Sequence, residues 1–198
     1  RNNIKGGEFV YYSKERLNGE TLATEEALID ELRSYNRKIY SHGLECYNVI
    51  ANMWALNAAR QGAECGLKEE IAGTFRSSNQ NTKLEVALAG AWGISNYWIS
   101  SPALNISIIK AKVEDLMKTR LKKDGRISIK TIFDTLSIAP YGFMPCNLSA
   151  FILGFLLKEY SGGKYTWSDG TISDELTLDK MKEMIHEILQ QEKTPNSR

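Results

Sequence analysis

Apolar side chains recur at helical spacing along most of this chain, and the places where that spacing fails divide it in two. Over residues 22–40, Leu28, Leu32, Tyr35 and Ile39 fall on one helix face. Glu25 and Glu26 follow Thr24, in the first turn, where the helix dipole favours acids. The spacing predicts a second helix from Leu44 to Arg60 through Tyr47, Ile50, Met53, Trp54 and Ala58, stopping near Gly62. A short helix from Leu67 to Phe75 then precedes the polar stretch 76–81. Thr82 to Ile99 has the pattern of a buried helix. Its Gly90 and Gly93 predict a close helix crossing or a break, because a glycine weakens a helix by roughly 1 kcal/mol relative to Ala. Residues 1–102 are therefore expected to form a helical bundle that ends at Ser100-Ser101-Pro102.

After Pro102 the pattern changes. Ser107 stands where it can cap a helix whose inward face is Ile109, Val113, Leu116 and Met117 and whose end is Lys122-Lys123-Asp124-Gly125. Arg126-Ile127-Ser128-Ile129 has the composition of a short strand. A helix over about 130–137 would bury Ile132, Phe133 and Leu136, and the linker 140–145 leads into a longer apolar helix over about 147–160. Ser161-Gly162-Gly163 ends that helix. Lys164–Trp167 and Thr171–Leu176 flank the turn Ser168-Asp169-Gly170 as a hairpin, and Thr177 caps a last amphipathic helix through Met181, Met184, Ile185, Ile188 and Leu189. Residues 193–198 are expected to be a flexible tail. Helix, strand, helix, turn, helix and hairpin is the order of a winged helix. The expected fold is mainly α: a helical bundle over 1–102, then a winged-helix-like unit with a small β-hairpin over 103–192.

Composition narrows the class without naming a function. A chain of 198 residues with 42% hydrophobic and 25% charged residues is ordinary for a globular protein and argues against disorder. The densest apolar run, Leu148 to Leu157, contains Ser149 and Gly154 and is about half a bilayer span, so no membrane partner is expected. The start at Arg1, without a basic and then apolar leader, is what a piece excised from a larger protein would show. Cys46, Cys65 and Cys146 are odd in number and sit in apolar, helix-like surroundings. They suit buried thiols in a reducing compartment, and the expected location is cytoplasmic.

Candidate chemistry is sparse. His42 and His186 are far apart in sequence, and no local signature joins either to a nucleophile. His42 and Cys46 have an i, i+4 spacing that can hold a metal, with Cys65 as a third ligand, yet no second close pair completes a tetrahedral set. Ser161-Gly162-Gly163-Lys164-Tyr165 differs from a phosphate loop, since Tyr follows the Lys and Lys158 stands at the first glycine position. It is expected to be a helix cap and turn. The carboxylate pairs Glu25-Glu26, Glu69-Glu70 and Asp174-Glu175 suit solvated faces or caps. No catalytic residue, metal or cofactor is assigned.

Charge changes the picture. The net charge of +1 conceals a segment, Ser107–Lys130, with eight basic and three acidic residues, a local +5 against −4 for the rest. Lys110, Lys118, Arg120, Lys122, Lys123, Arg126 and Lys130, with Lys164 and Trp167 from the hairpin, are the candidate nucleic-acid-binding residues. A solvated lysine-rich helix is the structural alternative, and lysines near a helix C-terminus are expected from the dipole alone. The helix over 147–160 carries Lys158 as its one cation and has the composition of a core or protein-facing helix rather than a base-reading one. Trp167 suits ordinary hairpin packing as well as stacking on a base.

Four motifs, Gly125-Arg126-Ile127-Ser128-Ile129, Ala139-Pro140-Tyr141-Gly142-Phe143-Met144-Pro145, Gly154-Phe155-Leu156-Leu157-Lys158-Glu159-Tyr160 and Tyr165-Thr166-Trp167-Ser168-Asp169-Gly170, carry a resemblance. Together they resemble a downstream region of large bacterial P-loop ATPases, of the type found in phage-resistance systems of the BREX kind. The resemblance covers residues 105–190 and leaves the first hundred unassigned. It implies a helical and winged-helix accessory region beside an ATPase core acting near DNA, with other domains or subunits of the parent protein as further partners. The Walker motifs of such ATPases are absent from the sequence. The expectation is a non-catalytic accessory module that contacts DNA through the basic segment. A protein-interaction or oligomerisation module without nucleic-acid binding is the alternative.

Overall fold

The computed structural model describes residues 9–13, 16–43, 56–68 and 106–193, and the chain divides into two compact units, Arg1–Ser41 and His42–Arg198. The boundary expected near Ser101-Pro102 lies outside the described residues, as does the tail beyond 193.

The first unit opens with a hairpin in a region expected to be helical. Strands β1 (Phe9–Ser13) and β2 (Arg16–Leu22) pair antiparallel, with Phe9 opposite Leu22 and a register irregularity between Tyr11 and Ser13. Phe9-Val10-Tyr11-Tyr12 has strong strand preference, which a search for helical spacing passes over. Helix α1 (Glu25–Ile39) follows as predicted. The Thr24 hydroxyl accepts from the Ala27 amide at 3.1 Å, and Arg37 and Lys38 occupy the last turn, where cations complement the dipole. No residue of α1 is buried.

The second unit is built around a helix with no polar face. Its helices are α2 (Leu56–Lys68), α3 (Ile106–Asp124), α4 (Ile129–Ser137), α5 (Asn147–Leu157) and α6 (Leu178–Lys193). All eleven residues of α5 are buried, as expected of a sequence apolar all round. The Cys146 sulfur caps it, accepting from the Ser149 amide at 3.5 Å. α2 packs along α5 through glycines. A Cβ on Gly62 would lie 2.6 Å from the Asn147 carbonyl oxygen, and one on Gly66 or Gly154 would strike the facing backbone more closely still. Gly62 was expected to end its helix. Instead α2 runs through it to Lys68, since the close approach the glycines permit outweighs their low propensity. Gly90 and Gly93, where the sequence predicted such a crossing, lie outside the described residues.

α3 buries Ile106, Ile109, Val113 and Met117, close to the predicted face. It begins at Ile106, so Ser107 is a helical residue rather than a cap, and it ends on Gly125 at φ +66, whose amide reaches the Leu121 carbonyl at 3.1 Å. The strand expected at Arg126–Ile129 does not form. Residues 126–128 lie outside regular structure, the Ser128 hydroxyl accepts from the Lys130 amide at 3.2 Å, and Ile129 starts α4. A capping hydroxyl thus takes the place of strand pairing. α5 ends at Leu157, and Lys158–Tyr160 form a 3-10 turn closed by the Ser161 hydroxyl, which donates to the Lys158 carbonyl at 2.7 Å. The strands of the second hairpin are β3 (Thr166–Ser168) and β4 (Ser173–Glu175), paired antiparallel and shorter than predicted. The Thr177 hydroxyl accepts from the Lys180 amide at 3.2 Å and caps α6, which buries Met181, Ile185 and Leu189. The described residues are mainly helical, and from α3 onward their order is helix, extended segment, helix, turn, helix and hairpin.

Candidate nucleic-acid interface

The candidate binding residues singled out by the sequence fall into three groups. Lys110, Arg120 and Lys130 are paired: Lys110 with Glu114 at 3.4 Å, Arg120 with Asp124 at 3.2 Å, and Lys130 with Asp134 at 2.8 Å and Glu192 at 2.6 Å. The hydrogen bond that Lys130 donates to Asp134, and then the one it donates to Glu192, raise its pKa above that of an ordinary lysine. Lys118, Lys122, Lys123, Arg126 and Lys164 are exposed and make no ion pair among the described residues. Trp167 stands apart. It is half-buried against the core, and the Lys180 ammonium lies 3.8 Å from its ring centroid, so one face of the indole is already covered.

Helix geometry sorts these cations further. With about 100° between successive residues, Lys118 and Lys122 share one flank of α3 and Arg120 and Lys123 the other. Both flanks end at Gly125, and Arg126 follows directly on the turn toward α4. The cations therefore surround the end of the helix rather than line one stripe.

Beside that end opens a cleft of about 970 Å³. Met117 and Leu121 of α3, Ile127, and Met184 and Ile188 of α6 contribute its apolar lining. Arg120, Arg126 and Lys164 also face it, against Asp124. The hairpin supplies Tyr165 and Trp167, and the 3-10 turn supplies Tyr160. Tyr160 and Tyr165 pack with ring centroids 5.4 Å apart and planes tilted by 55°. Burial, followed by the neighbouring Tyr165, pushes the Tyr160 hydroxyl above the usual range. The sequence did not reveal this cleft, because five separated segments make it and none has a distinctive pattern alone.

The other candidates form no reactive cluster. His42 packs on Tyr141 with centroids 5.8 Å apart, and its backbone amide donates to the Pro140 carbonyl at 3.0 Å. His186 lies half-buried on α6; burial and then Arg60 lower its pKa, so it favours the neutral form. Cys65 and Cys146 are buried thiols. Cys46 lies outside the described residues, and with it the metal combination weighed from sequence. No group of three or more potential metal-ligating side chains occurs among the described residues. No described helix is long and apolar enough to cross a membrane.

No family model, curated protein or solved structure matches the chain.

Proposed function

We propose that this chain is a non-catalytic accessory module that contacts the sugar-phosphate backbone of nucleic acid through the cations around the end of α3. The observation that carries this reading is the state of those cations: Lys118, Lys122, Lys123 and Arg126 are exposed and free of ion pairs among the described residues, while neighbouring Lys110, Arg120 and Lys130 are neutralised. Acidic partners on the same helix would be the simplest way to solvate such a surface, and these four lack them. The setting beside a bacterial DNA-handling or phage-defence ATPase rests on the sequence resemblance alone.

Sequence-specific reading of a duplex groove is not part of the proposal. The helix in the position that would enter a groove, α5, is wholly buried and offers no side chain to a base edge. The same burial removes the apolar helix as support for a protein-interaction module. That second reading now rests on the aromatic hairpin, where Tyr165 is exposed, and on the exposed side chains Ile108, Ile138, Met144 and Ile172 of this unit.

Salt dependence tests the first reading. Each phosphate contact contributes about 0.9 to the slope of log affinity against log salt on duplex DNA and about 0.7 on single strands. By fluorescence anisotropy, the chain should bind DNA with little sequence preference and lose affinity steeply as salt rises. Replacing Lys118, Lys122, Lys123 and Arg126 together with Gln should flatten the slope by up to about 3.6 on duplex DNA and about 2.8 on single strands. Absence of binding by the folded chain at low salt, or binding that the quadruple variant leaves unchanged, would remove the reading.

A further inference from the structure

We propose that the nucleic acid is taken as a single strand, with unpaired bases entering the cleft between α3, α6 and the β3–β4 hairpin. The inference rests on the backbone-contact reading above and names the form of nucleic acid the same surface selects. A module that only followed phosphates would need cations and nothing more. Here two of the exposed cations, Arg126 and Lys164, line a cavity of about 970 Å³, at the upper end of the roughly 300–1,000 Å³ of small-ligand sites. Its lining is mixed in the way a nucleotide is mixed. Met117, Leu121, Ile127 and Met184 offer apolar surface to the flat faces of bases. Tyr165, 36% exposed, adds an aromatic ring on which a base can stack.

The charges match as well. Arg126 precedes α4 and Lys164 precedes β3, so two different segments bring cations to the lining, and neither is in an ion pair among the described residues. A strand whose bases point into the cleft keeps its phosphates at the water boundary, where such cations can meet them. A duplex cannot do this, because its bases are paired and stacked inside it. An acidic amphipathic helix from another protein would satisfy the charges but not the lining. Its hydrocarbon face would cover the hydroxyl-bearing residues Thr131 and Thr166 without offering hydrogen-bond partners, which the polar edges of bases supply.

The test uses the whole 198-residue chain and three fluorescent probes of equal length: oligothymidine, an abasic oligomer with the same phosphate backbone, and a duplex. At low salt, oligothymidine should bind about tenfold or more tightly than either other probe, in keeping with roughly 1–3 kcal/mol per stacked base. Tyr165→Ala should remove most of that advantage while leaving the salt slope unchanged, and Tyr165→Phe should keep it. Equal affinity of the wild type for all three probes overturns base insertion and leaves backbone contact standing; this comparison needs no variant to fold. Failure of all three to bind overturns both readings. Binding of a labelled acidic amphipathic peptide in their place, lost in Tyr165→Ala, assigns the cleft to a protein partner instead.

Discussion

The α2–α5 crossing and the α3–α6–hairpin cleft are packed by opposite rules. At the crossing, Gly62, Gly66 and Gly154 bring two backbones together so closely that no methyl group fits between them. At the cleft, long side chains such as Met117, Leu121, Met184 and Ile188 line a space they do not fill. The closed region holds the unit together through dense contact, where even one added methyl is felt. The open one has room for a ligand. Charge follows the same division: α5 is buried throughout, whereas the end of α3 beside the cleft carries cations with no protein partner among the described residues.

One substitution made on both sides should give opposite results. Gly66→Ala forces a Cβ onto the Phe151 carbonyl, a backbone group that cannot swing away, and should lower stability by more than about 3 kcal/mol, beyond ordinary overpacking. Urea unfolding measures it, and a loss below about 1 kcal/mol would mean that the helices can separate cheaply. Thr177→Ala removes the hydroxyl that receives the Lys180 amide and should cost about 1 kcal/mol by the same measurement. For Met184→Ala, a half-buried side chain facing the cleft, we expect less than about 1 kcal/mol. A loss of about 3 kcal/mol there would show the cleft to be core, with no space for a ligand.

Smaller effects probe the rim. Asp169 accepts from the Thr171 amide at 2.9 Å, the Thr171 hydroxyl at 2.7 Å and the Ile172 amide at 2.9 Å. These bonds, led by those from the Ile172 and Thr171 amides, lower its pKa from 3.8 to about 2. Because the folded value lies below the unfolded one, the stabilisation of the turn is fully present above about pH 4 and disappears as pH falls toward 2. Carbon-detected NMR should place the Asp169 carboxyl midpoint near 2, and a midpoint near 4 would mean the turn bonds are absent in solution. Gly162→Ala completes the matched pair: its Cβ meets nothing within 4 Å, so stability should stay within about 0.5 kcal/mol.

Much of the helical layout could be read from residue spacing, because local rules decide it. Glu25 and Glu26 in the first turn of α1, Thr177 and the α3 face Ile109, Val113 and Met117 occupy their predicted roles. The burial of α5 follows from a run with no polar face. Two readings gave way, one to a competing local preference and one to packing against another helix. At Arg126–Ile129, alternating isoleucines suggested a strand, but Ser128 caps α4. At Gly62, a residue that ends many helices continues one, because α5 lies against it. The β1–β2 hairpin is encoded in the strand preference of Phe9-Val10-Tyr11-Tyr12, to which helical periodicity is blind.

Sequence by itself determined the helices α1, α5 and α6, the inward face of α3, the Thr177 cap and that positive charge gathers between Ser107 and Lys130, since each depends on neighbours a few residues apart. Which of those charges stay free was decided partly by i,i+4 neighbours, as for Lys110 with Glu114 and Arg120 with Asp124, and partly in three dimensions. Lys130 is neutralised partly by Glu192, a residue sixty-two positions away that α6 brings within 2.6 Å. The cleft is likewise a product of tertiary structure: its walls come from the end of α3, the turn before α4, the 3-10 turn, the hairpin and α6. Spacing along a chain encodes which face of a helix turns inward. It does not encode how far that face stands from the next, which packing of the whole unit sets.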